Sequence, residues 1–169
     1  MLKLKTKPPR EDLSSIELLQ QKFGDLIYDL FCSILWTKNQ ADTLYLRFWK
    51  ETEKTLHHLS LRYEKNARAW ILQSAVDLVI KSHQKQGGKI SPSERIALDQ
   101  SLNVPVRLKN IRLYLRRLSS QDQILLALRD RYGIPYSEVA SILRIPEGAL
   151  RTKHQQALRS LEEWLWDHP

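Results

Sequence analysis

Apolar positions along the chain recur at three- and four-residue steps in one stretch after another, which is the spacing of helices that bury one face. After Pro8-Pro9, the stretch "REDLSSIELLQQKFGDLIYDLFCSILW" puts Leu19, Phe23, Leu26, Ile27, Leu30, Phe31 and Ile34 on one stripe. It predicts a first helix, with Ser14 or Ser15 as its N-terminal cap. "TKNQ" interrupts the pattern, and a second helical run extends from about Ala41 through "DTLYLRFWKETEKTLHHLSL" to near Leu61. "RYEKN" then reads as a short polar loop. The third run, "ARAWILQSAVDLVIKSHQK", sets Trp70, Ile71, Ser74, Ala75, Leu78 and Val79 on one side and leaves Lys81, Gln84 and Lys85 to solvent.

The pair Gly87-Gly88 ends that run. With Pro92, Pro105 and only weak periodicity between, residues 87–107 read as a linker. Beyond it four helical pieces are expected, at about Leu108–Leu118, Gln121–Tyr132, Tyr136–Leu143 and Glu147–Trp166, broken by Gly133-Ile134-Pro135 and Arg144-Ile145-Pro146. The expected class is all-α. It comprises a basic tail over 1–12, an N-terminal helical domain over 13–86, the linker, and a C-terminal helix-turn-helix domain over 108–169.

Composition agrees with a helix-rich chain: only 5 of 169 residues are Gly, and 42% are hydrophobic. Charge adds a partner class. Lys and Arg number 27 against 19 acids, a formal net charge of +8, which draws the chain to polyanions, nucleic acid first among them. The single Cys32 has no partner for an intramolecular disulfide and sits in an apolar run, so it reads as a packed core thiol in a reducing compartment. No apolar run approaches the roughly 18 residues of a membrane span, and the N-terminal start has no apolar segment of the secretory kind. The expectation is a cytoplasmic protein without membrane insertion.

In the last helical run Leu150, His154, Ala157, Leu161 and Trp164 share one side and should pack inward. Thr152, Gln155, Gln156 and Arg159 point the other way, flanked by Arg151 and Lys153. That face has the chemistry of a major-groove reader: Arg or Lys bonds guanine edges, and Gln bonds adenine edges. Glu147 favours the helix dipole, and the helix N-terminus suits phosphate. The small Ala140 in the preceding helix, with a short turn after it, allows the close crossing that a reading head needs.

The stretch "LSSQDQILLALRDRYGIPYSEVASILRIPEGALRTKHQQALRSL", from Leu118 to Leu161, resembles the C-terminal domain of bacterial sigma factors of the extracytoplasmic-function group. Leu128-Arg129, Gly133, Tyr136, Glu138, Val139, Ala140, Ile145, Gly148, Arg151, Thr152, Lys153, Ala157, Arg159 and Leu161 carry the match. The resemblance implies that the last helix enters the major groove of the −35 promoter element. Arg151, Thr152, Lys153, Gln155 and Gln156 are then the base-side contacts, with Arg129 and Ser137 on the DNA backbone. "ARAWILQSAVDLVIKSHQ" resembles the same family's N-terminal domain, which grips core RNA polymerase and captures the melted −10 strand. Arg68, Ala69, Trp70 and Ala75 are retained, but Asp77 stands at the family's Asn position and Lys81 at its Asp position. Candidate −10 contacts by this resemblance are Arg62, Tyr63, Lys65, Asp77 and Lys81. The family's acidic clamp-binding segment corresponds to Ala41 through Trp49, which makes Asp42, Leu46 and Arg47 the candidate polymerase contacts. Here Leu46-Arg47 replaces Gln-Glu. Core polymerase, double-stranded promoter DNA and an anti-sigma or co-sigma protein are the implied partners.

Other chemistry has little to stand on. His57-His58, His83, His154 and His168 make no metal spacing, and no phosphate loop, nucleophile elbow or acid pair is present. No catalytic residue, metal, cofactor or small-molecule substrate is expected. Trp164 and Trp166 should pack on the domain or on a partner. The leading function is a sigma-factor-like initiation protein. Two alternatives stand beside it: a sigma-like regulator or accessory protein that does not initiate alone, and a protein-interaction module on a sigma-like fold.

Overall fold

The computed structural model describes residues 16–35, 37–56, 64–85 and 106–168. The expected tail, most of the linker, the Ser14 or Ser15 cap, Trp36 and His57-His58 lie outside the described residues. All regular structure among those described is helical: α1 (Ile16–Ile34), α2 (Lys38–Leu56), α3 (Glu64–Lys85), α4 (Val106–Leu115), α5 (Ser120–Leu126) with a π-helical turn at Ala127–Arg131, α6 (Tyr136–Leu143) and α7 (Glu147–Asp167).

Three boundaries differ from the sequence expectation, the first being α4, whose start at Val106 falls inside the expected linker. "TKNQ" starts α2 rather than interrupting it: the Thr37 hydroxyl accepts from the Gln40 amide at 3.3 Å, and its carbonyl takes the Ala41 amide at 3.2 Å. A threonine at that place is a cap, which satisfies amides that the first turn would otherwise leave open. Part of the expected loop "RYEKN" is likewise helical, since α3 begins at Glu64.

Helices α1 and α2 pair through Leu19, Phe23, Ile27, Leu30, Phe31 and Ile34 on one side and Ala41, Leu44, Phe48 and Trp49 on the other, all buried. Their approach is close at Gly24, where a Cβ would stand 2.9 Å from the Tyr45 hydroxyl. Polar groups lock the pair at one end: Tyr28 donates to Asp42 at 2.7 Å and Lys38 reaches the other oxygen at 2.9 Å. Helix α3 is covered on more than one side, since it packs against α1, α2, α6 and α5. Hence Leu72 and Val76 are buried beside the expected Ile71, Ala75 and Val79, and its apolar pattern is not a single stripe.

The C-terminal half begins with α4, anchored by the Tyr114 hydroxyl on the Ala157 carbonyl of α7 at 3.0 Å. Helix α5 opens on a reciprocal cap. The Ser119 hydroxyl accepts from the Asp122 amide and donates to the Asp122 carboxylate at 2.6 Å. Gly133, at φ 64°, turns the chain toward α6, and Arg144 ends that helix in the same left-handed region at φ 56°. The Ile145 amide then bonds the Ala140 carbonyl at 3.1 Å, closing the helix-turn-helix turn.

Both halves share one apolar core, running from Leu19 through Val79 to Ile124, Leu128, Val139 and Leu150. Ion pairs rim the seam: Arg68 with Glu138, Arg131 with Asp29, and Arg144 with Asp77. One sequence expectation changes here. Cys32 is exposed, not packed, because its neighbour Phe31 takes the inward position. It opens on a cleft of about 370 Å³ that Asp29, Arg112 and Arg116 also line. Trp166 is 81% exposed, while Trp164 lies under Arg117 and stacks on His168.

Candidate nucleic-acid interface

Helix α7 divides as its periodicity predicts. Leu150, His154 and Ala157 are buried, and Arg151, Thr152, Gln155, Gln156 and Arg159 are exposed. Ser137 is also exposed, at the start of α6, on the neighbouring element of the helix-turn-helix. Lys153 turns sideways instead: it is half-buried and reaches Asp122 at 3.3 Å, bracing α7 against the start of α5. The Thr152 hydroxyl bonds back to the Gly148 carbonyl at 3.1 Å.

The centre of the head is a polar cluster around His154, whose partners leave no trace in the hydrophobic pattern. His154 is only 6% exposed, and both ring nitrogens are used. Nδ1 faces the Tyr136 hydroxyl at 2.7 Å, and Nε2 lies 2.9 and 3.0 Å from the two Asp130 oxygens. A buried histidine without such partners would be costly. Over the Tyr136 ring stand two guanidinium groups, Arg151 at 4.3 Å and Arg129 at 4.6 Å from its centroid. Arg129 also donates to the Ile134 carbonyl at 3.3 Å. Glu147 holds Arg151 through Nε at 3.0 Å and Nη2 at 2.6 Å.

The π-helical turn makes this cluster geometrically feasible. It widens the backbone by one residue, with the Tyr132 amide bonding the Ala127 carbonyl, and so rotates the residues after it relative to an α-helical course. Asp130 faces His154, while Arg131 and Tyr132 reach back across the seam to Asp29. Burial and the bond to Asp29 both push the Tyr132 hydroxyl well above the usual tyrosine range.

The other candidate residues are not gathered into one site. Asp77 is paired with Arg144 at 3.0 Å, and Lys81 is exposed on the same helix, α3. Arg68, also on α3, is committed to Glu138 through two bonds. Arg62 and Tyr63 lie outside the described residues, as does the Lys65 side chain. On α2, Asp42 is engaged by Tyr28 and Lys38; those bonds hold its carboxyl below the usual carboxylate range, the Tyr28 bond foremost. Leu46 is 71% exposed, and Arg47 is paired with Glu51 at 2.7 Å. Among the described residues no group of His, Cys, Asp or Glu could hold a metal ion, and no helix is long and apolar enough to cross a membrane.

Comparison with known proteins agrees with this architecture. Residues 108–161 match the family model described as sigma-70, region 4. No curated protein matches the chain in sequence. Among solved structures, the fold is similar to the sigma factor RpoE from Bartonella quintana, solved in complex with the anti-sigma factor NepR. The TM-score is 0.66 at 13% identity, over 88% of this chain and 97% of that one. At that identity the likeness speaks for the fold, while the family match speaks for the helix-turn-helix. Residues 108–161 thus match sigma-70 region 4, within a chain whose all-helical fold is similar to that of a sigma factor.

Proposed function

We propose that the chain is a cytoplasmic transcription initiation protein that binds core RNA polymerase and reads the −35 promoter element with α7. The observation that carries this reading is the outward face of α7, where Arg151, Gln155, Gln156 and Arg159 are exposed on a helix braced by a polar cluster around the buried His154. Arg151, Gln155 and Gln156 suit guanine and adenine edges in a major groove, with Arg159, Ser137 and Arg129 on the flanking phosphates. A net charge of +8 supplies the long-range attraction. Asp42, Leu46 and Arg47 are the proposed polymerase contacts, and Lys81 and Asp77 the proposed −10 contacts, together with Arg62, Tyr63 and Lys65. Likeness to a sigma factor solved with NepR supports an anti-sigma protein as a further partner.

A second reading is favoured by two observations. Leu46-Arg47 stands where the family has Gln-Glu in the clamp-binding segment, and a reversed charge at a complementary interface weakens association. Asp77 and Arg68 are also held by the C-terminal half. Both suit a sigma-like regulator that needs a second protein to initiate. Run-off transcription with purified core polymerase separates the two: specific transcripts from this chain alone support initiation, and polymerase binding without transcripts supports the regulator. Binding to neither polymerase nor DNA overturns both.

A further inference from the structure

We propose that Tyr136 is the positioning residue of the reading head, its ring fixing Arg151 in the orientation that a guanine edge requires and setting Arg129 beside it. The inference rests on the DNA-reading role of α7 and names what makes that reading specific.

The ring is held through its hydroxyl and carries two guanidinium groups against its π system. The hydroxyl meets His154 Nδ1 at 2.7 Å, and His154 is fixed in turn by Asp130. That chain holds the phenol in place, because the imidazole it bonds is itself buried and anchored. The Arg151 and Arg129 guanidinium carbons lie 4.3 and 4.6 Å from the ring centroid, within the range of cation–π attraction. A free arginine on a helix surface samples many rotamers and loses that freedom on binding a base. Arg151 has lost it beforehand.

Which edge of Arg151 remains open follows from its other partner. Glu147 takes Nε and one hydrogen of Nη2 through a single oxygen. The terminal edge, Nη1 and the second Nη2 hydrogen, is left for a ligand, and this edge can span the O6 and N7 atoms of guanine. Tyr136 sets the plane of the guanidinium, and Glu147 sets which side faces outward. Lysine keeps the charge but lacks the plane and the rigid donor fork, so neither Tyr136 nor Glu147 could orient it in this way.

The test uses the full chain and a library of randomised duplex DNA at fixed ionic strength. Wild type selects a motif containing a guanine, and Arg151→Lys, which keeps the charge, loses that one position. Tyr136→Leu loses preference at the same position by about tenfold, with binding to non-selected DNA unchanged. Tyr136→Phe keeps the ring but loses the bond to His154 that holds it, so its preference falls between those of wild type and Tyr136→Leu. Nitrogen-edited NMR of the free protein gives a readout without DNA: the Arg151 Nε–H resonance is ring-current shifted in wild type and Tyr136→Phe, and moves to its solvent position in Tyr136→Leu. The proposal is overturned if Tyr136→Leu retains the preference, or if it weakens all sequences equally. Should Tyr136→Leu not fold, an Arg151 resonance without a ring shift in wild type overturns it by itself. A wild type that selects no motif removes the DNA-reading role instead, even where the NMR shift is present, and the proposal falls with that role.

Discussion

At the residue scale, two backbone positions with left-handed geometry make opposite predictions. Gly133 adopts φ 64° with open space around its Cα, so Gly133→Ala meets no clash but a strained backbone, at a cost of about 1 kcal/mol. Arg144 already bears that strain at φ 56°, and its guanidinium reaches Asp77. Arg144→Gly relieves the strain and loses an exposed ion pair worth at most about 1 kcal/mol, so the two effects nearly offset. Arg144→Ala loses the pair and keeps the strain. Urea denaturation of the full chain should therefore rank Arg144→Gly above Arg144→Ala by about 1 kcal/mol, and an equal stability would show that the left-handed cap is not strained. His154 sits on the apolar seam of the sequence pattern, and its burial is legible there. Its partners are not, because Asp130 and Tyr136 are brought to it by a π-turn and a helix crossing that no periodicity encodes.

At the element scale, the α1–α2 pair carries a pH dependence. Tyr28 and Lys38 bond the ionised form of Asp42, so its folded value lies below the unfolded value of about 3.9. A depressed carboxylate stabilises the fold above its unfolded value and loses that contribution as pH falls through its folded one. Below about pH 4 the wild type should therefore lose helicity more steeply than Asp42→Asn, as followed by circular dichroism on acid titration. Parallel acid limbs would mean that the lock contributes nothing to the pair. Helix identity is readable for α1, α2, α6 and α7 because each buries one stripe. The start of α2 is misread from sequence because a capping Thr next to Lys, Asn and Gln looks polar whether it opens a helix or a loop.

At the scale of the whole molecule, apolar contact and charge hold the two halves together, and their magnitudes differ. The three ion pairs across the seam have at least one partner substantially exposed in each case, and such pairs contribute about 0–1 kcal/mol. The shared apolar core contributes about 25 cal/mol for each Å² removed from water, a term that salt does not screen. In about 1 M salt, where the Debye length is near 3 Å, small-angle scattering should show the halves still packed. Expansion under those conditions would assign the seam to the ion pairs. DNA binding should respond in the other direction, with log affinity falling against log salt by about 0.9 for each phosphate neutralised. Arg159→Ala, on the exposed face of α7, is expected to reduce that slope by about one, and an unchanged slope would remove Arg159 from the phosphate contacts.

The amino-acid sequence by itself determined the helical class, the helix-turn-helix, and the division of α7 into a buried stripe and an outward polar face. Those come from local periodicity, turn residues and charge, which act over a few positions along the chain. Tertiary structure alone decided that Asp77 and Arg68 meet Arg144 and Glu138, that Lys153 braces α5, and that Tyr136 gathers two arginines over a ring tied to His154 and Asp130. Those contacts join residues on different elements. Their geometry is set by how helices cross and where the backbone widens, and the spacing of side chains along one helix carries no record of either.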